Sequence, residues 1–451
     1  MLVKVSIDNF KSFDTLTELT MISSNKIRSN VSHRLKIKST QLLKYGVVYG
    51  ANASGKTNLV EFFRFFKKCV CNGIPMDATQ MFCKNREENK DRESSFELQL
   101  TIGNKFYAYG FSVILSKKKI TAEWLYELYQ NGTARCLFER EGNKRPVLDE
   151  TITLSSIEKN KFEIYADDFE GNDKSLFLTE MNRGKKYTER SKLLFFKEIF
   201  EWIQNNIVII TPDTPLIDLE YYYDNESLEV INNLIKTFDT GISQVKIEEI
   251  TIDELAKTLP KAVFEQMMLH IKIRMDEQEN PAFRMTMRSH ENFFSIEVLG
   301  HEEPKVTTIR LKHSKSFFDF GFEEESDGTR RLFDLMDMLF NKREDILYVV
   351  DELERSLHPK LTEHFLELFM KMHEEHKIQL LFTTHESSIM DQAIFRRDEI
   401  WFVERDAENA SNIYSLDRFK ERYDKVLSKA YLEGRYGAIP VFSTFEFGEE
   451  E

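Results

Sequence analysis

The sequence predicts an α/β fold: a mixed sheet with an antiparallel subdomain and a helical insertion. Three observations predict it. Short apolar runs alternate with amphipathic helical segments in the C-terminal third. A glycine-rich loop joins one buried apolar run to a helix. A further apolar run delivers two acidic residues at its C-terminal end, where α/β sheets bind ligands.

Leu2 to Ile7 alternates as a strand, and Asn9 to Phe13 opens a second strand-like run. Leu42 to Tyr49 is apolar enough for a buried parallel strand. The helix from about Gly55 to Val70 places Leu59, Phe62, Phe63 and Phe66 on one face. Residues 95–115 and 120–140 alternate and carry aromatics, with Asn131-Gly132 as a hairpin signal. Ser191 to Asn205 reads as an amphipathic helix and Ile207 to Ile210 as a strand, after which Pro212 and Pro215 break the pattern. Helices are expected over 225–239 and 253–270, with an insertion at about 215–290. Strands resume near 293–299 and 306–311. Then come helix 328–341, strand 346–351, helix 359–376, strand 378–383, a strand near 399–404 and a helix over about 415–433. This gives an N-terminal lobe over 1–150, a helical or mixed insertion over 151–290 and a C-terminal lobe over 291–451.

Composition narrows the function. The 451 residues carry a net charge of −14, unlike a protein that coats nucleic acid, which is usually basic. Nucleic acid is therefore a disfavoured partner. The basic runs Lys117-Lys118-Lys119 and Arg183, Lys185, Lys186 read as a solvated hairpin tip and loop. Cys69, Cys71, Cys83 and Cys136 lack zinc-site spacing and read as reduced thiols. No apolar stretch is long enough to cross a bilayer, and the N-terminus lacks a signal-peptide core, so a cytoplasmic protein with no membrane partner is expected.

Gly50-Ala-Asn52-Ala53-Ser54-Gly55-Lys56-Thr57 fits G-x-x-x-x-G-K-[ST] without a mismatch, between a strand and a helix. Gly50 and Gly55 let the backbone turn its N–H groups inward, and those groups with the helix N-terminus attract phosphates. Asn52, Ala53, Ser54 and Asn58 complete the expected nucleotide-binding loop. Lys56 offers a cation to the β- and γ-phosphates of ATP, and Thr57 a hydroxyl to Mg²⁺. The pattern specifies a P-loop NTPase but not its kind.

Ile346 to Val350 ends in Asp351-Glu352. Two carboxylates after five apolar residues are costly to bury without a role. Asp351 is expected to hold the Mg²⁺ water shell, and Glu352 to act as general base toward the attacking water. Upstream, Ser326 is placed to cap a helix that Leu332, Leu335, Met336 and Leu339 make amphipathic.

With the Ser326-Asp327-Gly328 loop ahead of that helix, the sequence resembles the ABC ATPase family, whose signature is a Ser-x-Gly loop that binds the γ-phosphate held by the opposite protomer. The resemblance implies that Ser326 and Gly328 do so here. His385, ending the run Leu380 to Thr384, matches the family histidine that touches the γ-phosphate and orients water with the glutamate. Glu354-Arg-Ser-Leu357-His358-Pro359, Ile7-Asp-Asn-Phe10-Lys11-Ser-Phe13 and Tyr431-Leu-Glu-Gly434-Arg-Tyr-Gly437-Ala-Ile-Pro440 resemble the SMC, RecF and OLD-nuclease branch. Most similar are the stand-alone SMC-like ATPases of bacterial anti-phage systems, of the abortive-infection and PARIS-like kinds. The resemblance covers about 1–130 and 300–440. No glutamine matches the family's Q-loop clearly, Gln80 being the nearest, and Asp327 and Thr329 depart from the transporter signature.

The resemblance implies a homodimer or higher oligomer that shares its ATP sites and hydrolyses ATP to ADP and phosphate. No second chemistry is legible: Glu249, Asp253 and Glu254 form the best acidic cluster and look like a helix start. A sensor that controls a separate effector, a toxin or nuclease, is the leading expectation. A RecF-like or SMC-like DNA-repair ATPase and a non-hydrolysing ATP-dependent scaffold are the alternatives.

Overall fold

Thirty-seven phenylalanines supply much of the core. In the computed structural model, which describes residues 1–212, 225–277, 279–288, 293–341, 343–419 and 426–440, several of them pack around the helix Lys56–Asn72. Phe62, Phe63, Phe65 and Phe66 are all buried there. Phe66 meets Phe111 at 5.3 Å between ring centroids, and Phe65 meets Phe96 at 5.1 Å. Phe10 packs edge-on to Phe96 at 5.3 Å, an arrangement the ring quadrupoles favour. This cluster pins the helix, and so the loop ahead of it, to an antiparallel sheet.

That sheet has seven strands, in the order Val147–Leu148, Ala134–Glu141, Lys119–Leu128, Lys105–Ile114, Ser94–Ile102, Leu2–Asp8, Thr17–Thr20. Tyr129 to Thr133 closes the Asn131-Gly132 hairpin, with Gly132 at φ 82. The second sheet has six strands, in the order Ile207–Ile210, Ile346–Val350, Ile378–Thr383, Tyr45–Tyr49, Ile400–Arg405, Ser411–Ser415. Ile346–Val350, Ile378–Thr383, Tyr45–Tyr49 and Ile400–Arg405 run parallel, and only Ser411–Ser415 pairs antiparallel at that edge. All residues of Ile346–Val350 and Ile378–Thr383 are buried, as a sheet covered on both faces requires. The fold is thus mixed α/β, as the sequence predicts.

The chain forms two compact units. The first comprises residues 1–209, 343–353 and 373–451, and the second 210–342 and 354–372. In the second, an antiparallel sheet orders Ile242–Ile250, Lys305–His313, Phe293–Leu299 and Ala282–Arg288, with Phe320–Gly321 beside Lys305–His313. Leu255, Met267, Ile271, Phe294, Ile296 and Val306 form its core.

Several elements differ from their sequence-based outline. Residues 9–13 form a tight turn, with Asn9 at φ 49 and Lys11 at φ 52, and the second strand begins only at Thr17. The apolar run at 42–49 splits at Lys44, whose ammonium turns inward to the carbonyl of His373 at 3.0 Å and to that of Glu374. The segment 225–276 is helical only in part, because Ile242–Ile250 is a strand. The expected helix 253–270 is two, Ile252–Thr258 and Lys261–Asp276, divided at Pro260, which lacks the N–H a continuous helix needs. Thr251 caps the first through a capping box with Glu254, so Asp253 and Glu254 open a helix, whereas Glu249 of the same acidic cluster lies in the strand Ile242–Ile250. Of the expected helix 415–433, Leu427–Leu432 is helical and residue 415 ends a strand; residues 420–425, like Pro215, lie outside the described residues. Among the described residues, no helix is long and apolar enough to cross a membrane.

Candidate functional site

The parallel strands of the first unit end near one another, and the phosphate loop, Asp351, Glu352 and His385 follow their ends. Tyr45–Tyr49 leads into the phosphate loop, and the helix Lys56–Asn72 leaves it with Gly55 at φ 115 as N-cap. Only glycine adopts that conformation without strain. Ala53 also takes a left-handed conformation, at φ 61. The loop thus carries conformational cost, as expected where backbone N–H groups must converge. A cavity of about 460 Å³ opens over it, lined by Asn52, Ala53, Ser54, Gly55, Lys56, Thr57, Asn58, Glu352, His385 and Arg405.

Lys56 is 5% exposed. Its Nζ donates to the carbonyls of Gly50 at 2.6 Å and Ala51 at 3.0 Å, and lies 3.4 Å from His385 Nδ1. An ammonium can only donate, so Nδ1 is the acceptor and Nε2 carries the proton of the neutral ring. Partial burial first, and then the Lys56 ammonium, hold His385 below the usual histidine value of 6.5. Its Nε2–H is therefore a donor at neutral pH.

Asp351 and Glu352 diverge. Asp351 is buried and accepts from Thr383 Oγ1 at 2.6 Å. The same hydroxyl accepts from the backbone N–H of Glu352 at 2.9 Å. Thr383, on the neighbouring parallel strand, thereby fixes both halves of the pair. Glu352 sits at φ 46, a left-handed conformation uncommon outside glycine, and lines the cavity half-buried. Backbone strain of this kind clusters at active sites.

The donor set suits Mg²⁺ nucleotide. The ion is usually held by one or two protein oxygens and the substrate's own phosphates, and here Thr57 and Asp351 are the candidate oxygens.

A family model described as "AAA domain, putative AbiEii toxin, Type IV TA system" matches residues 47–391. The chain belongs to that family. No curated protein sequence matches this AAA-family chain. Three solved structures similar to it are SMC heads. An SMC head bound to the C-winged helix domain of ScpA is 11% identical at a TM-score of 0.38, covering 92% of this chain and 97% of that one. The SMC head domain from Thermotoga maritima is 14% identical at 0.36, covering 92% and 98%. The head with an extended coiled coil, bound to the C-terminal domain of ScpA derived from Pyrococcus furiosus, is 14% identical at 0.34, covering 96% and 98%.

In this AAA-family chain, Ser326 and Gly328 belong to the second unit. Ser326 caps the helix Asp327–Phe340: its Oγ accepts from Thr329 N at 3.1 Å and lies 2.9 Å from Thr329 Oγ1. His313 holds the preceding Glu325 at 2.7 Å. A Cβ on Gly328 would lie 2.6 Å from the Ser356 carbonyl, closer than packing allows, so glycine there lets the loop after Leu353 approach the helix. Gln80 is exposed in a short turn and does not line the cavity. Sequence reasoning missed Arg405 as a lining residue and Thr383 as the anchor of the acidic pair. No local pattern marks either, because both depend on which strands are neighbours.

Proposed function

We propose that the chain is an ABC-type ATPase that binds ATP with Mg²⁺, hydrolyses it to ADP and phosphate, and closes as a homodimer or higher oligomer around shared nucleotides. The observation that carries this reading is the single cavity lined by Lys56, Thr57, Glu352 and His385. The backbone N–H groups from Gly50 through Gly55, with Asn52, Ala53, Ser54 and Asn58, would cradle the phosphates. Lys56 would exchange its carbonyl partners for β- and γ-phosphate oxygens. Thr57 and Asp351 would hold Mg²⁺, whose charge neutralises the β- and γ-phosphates when bound. Glu352 would take the proton of the attacking water, and His385 Nε2–H would donate to the terminal phosphate. Ser326 and Gly328 would supply a capped helix N-terminus to the nucleotide of the opposite copy.

Since the γ-phosphate would bridge two copies, ATP and ADP would favour different assemblies. We assign this cycle to the sensor subunit of an anti-phage defence system, of the abortive-infection and PARIS-like kinds, that controls a separate cytoplasmic effector. The family description, which names an AbiEii toxin and a type IV toxin–antitoxin system, favours this role. The net charge of −14 weighs against a RecF-like DNA-repair ATPase.

Phosphate release by the wild type and by Glu352→Gln tests the hydrolytic reading. Removal of a general base lowers turnover by roughly 10²–10⁴-fold. The variant should retain ATP yet release phosphate at least about 100-fold more slowly; equal rates would contradict the role of Glu352.

A further inference from the structure

Resting on that reading of the cavity, we propose that Arg405 is a second cation for the nucleotide's polyphosphate, delivered by a hairpin that buttresses the phosphate loop at both ends. The hairpin comprises Ile400–Arg405 and Ser411–Ser415, paired with Arg405 opposite Ser411. Ile400–Arg405 also lies parallel to the phosphate-loop strand, with Phe402 beside Tyr49. Arg405 thus leaves its strand where the neighbouring strand turns into the loop.

The hairpin approaches the loop closely at each loop glycine. A Cβ on Gly50 would lie 2.4 Å from the Val403 carbonyl, and a Cβ on Gly55 would lie 2.3 Å from Ser411 Oγ. The glycines therefore answer to the hairpin as well as to the phosphates. Ser411 is 2% exposed, and its Oγ donates to the Ser54 carbonyl at 2.5 Å and meets Ser12 Oγ at 2.7 Å. Asn58 Nδ2 donates to the same Ser12 hydroxyl at 2.7 Å. The hairpin turn is itself braced, since Asp406 Oδ1 accepts from the N–H groups of Glu408 at 3.0 Å and Ala410 at 2.9 Å.

Arg405 stands on this frame, exposed and lining the same cavity as Lys56 and Thr57. Its Nη1 donates to Asn409 Oδ1 at 2.6 Å, which orients the plane of the guanidinium. A guanidinium has five N–H donors in a fixed fork, suited to phosphate oxygens. The cavity would then present Lys56 and Arg405 to a polyanion, with Glu352 reserved for water.

Calorimetric titration of the full chain with Mg²⁺ and ATP, ADP or AMP tests this, in a Glu352→Gln background that holds ATP unhydrolysed. Loss of one charge-assisted contact weakens binding by about ten- to a hundredfold. Arg405→Ala should lose about that factor for ATP, less for ADP and almost nothing for AMP, while Arg405→Lys retains part of the ATP affinity and the melting temperature stays unchanged. ATP affinity equal to that of the parent, or an equal loss for all three nucleotides, would overturn the proposal. A parent protein that binds no ATP would overturn the nucleotide-site reading as well.

Discussion

The two ends of the proposed catalytic cycle are built differently. In the first unit, one cavity gathers a buried lysine, a strained glutamate, a histidine and a helix N-terminus. In the second unit, the Ser326 loop offers a helix N-terminus and one hydroxyl, and that hydroxyl already accepts from Thr329. The difference teaches which end can act alone. A polyanion needs cationic and N–H donors at close range, and the first unit supplies both. The second would contribute a weak helix-terminal attraction, worth about 0.3–1 kcal/mol when exposed. On this account nucleotide binding belongs to the first unit, and the second answers to a nucleotide that is already bound.

The sharpest way to break that contrast is to disable each end separately. Lys56→Ala should cost about 3 kcal/mol of ATP affinity, because it deletes a charged donor from a desolvated loop. Titration with ATP checks this; affinity within a factor of two of the wild type would erase the distinction. Next comes Gly328→Ala, whose new Cβ meets the Ser356 carbonyl at 2.6 Å. That overlap should lower unfolding stability by about 1–3 kcal/mol while ATP affinity stays unchanged. Denaturant unfolding, read beside the titration, separates the two effects.

A smaller loss is expected for Ser326→Ala, which removes the helix cap at about 1 kcal/mol and leaves ATP affinity as it was. A parallel loss of ATP affinity would mean that the second unit takes part in the initial binding. The smallest effect concerns pH. Protonated His385 would turn an N–H toward Lys56, so both burial and that ammonium disfavour the charged ring. Hydrolysis should therefore persist through neutral pH and fall only below the usual histidine value of 6.5. A histidine-dependent limb above 6.5, one that disappears in His385→Gln, would contradict a ring held neutral at neutral pH.

How much of this was legible in the sequence divides along the same line. The phosphate loop and the Asp351-Glu352 pair were readable because their chemistry is local: a glycine where φ is positive, a lysine beside it, an acidic pair after an apolar strand. The helix behind the loop was readable from its phenylalanine stripe. Thr383, Ser411 and Arg405 were not, since each acts across a strand pairing that sequence spacing does not encode. In the second unit, Ile242–Ile250 escaped notice because it is only partly buried and lacks strict alternation. Lys44 misled in the opposite sense. A charged residue inside an apolar run implied nothing by itself, yet its buried ammonium marks the point where one strand becomes two.

Mixing two inactive variants tests the central claim most directly. Lys56→Ala disables one end and Ser326→Arg blocks the other, so each homodimer has no intact site. A mixed dimer pairs the intact phosphate loop of the Ser326→Arg copy with the intact Ser326 loop of the Lys56→Ala copy. The account predicts that the mixture hydrolyses ATP while neither variant does so alone. A mixture as inert as its components, or full hydrolysis by Ser326→Arg on its own, would contradict it.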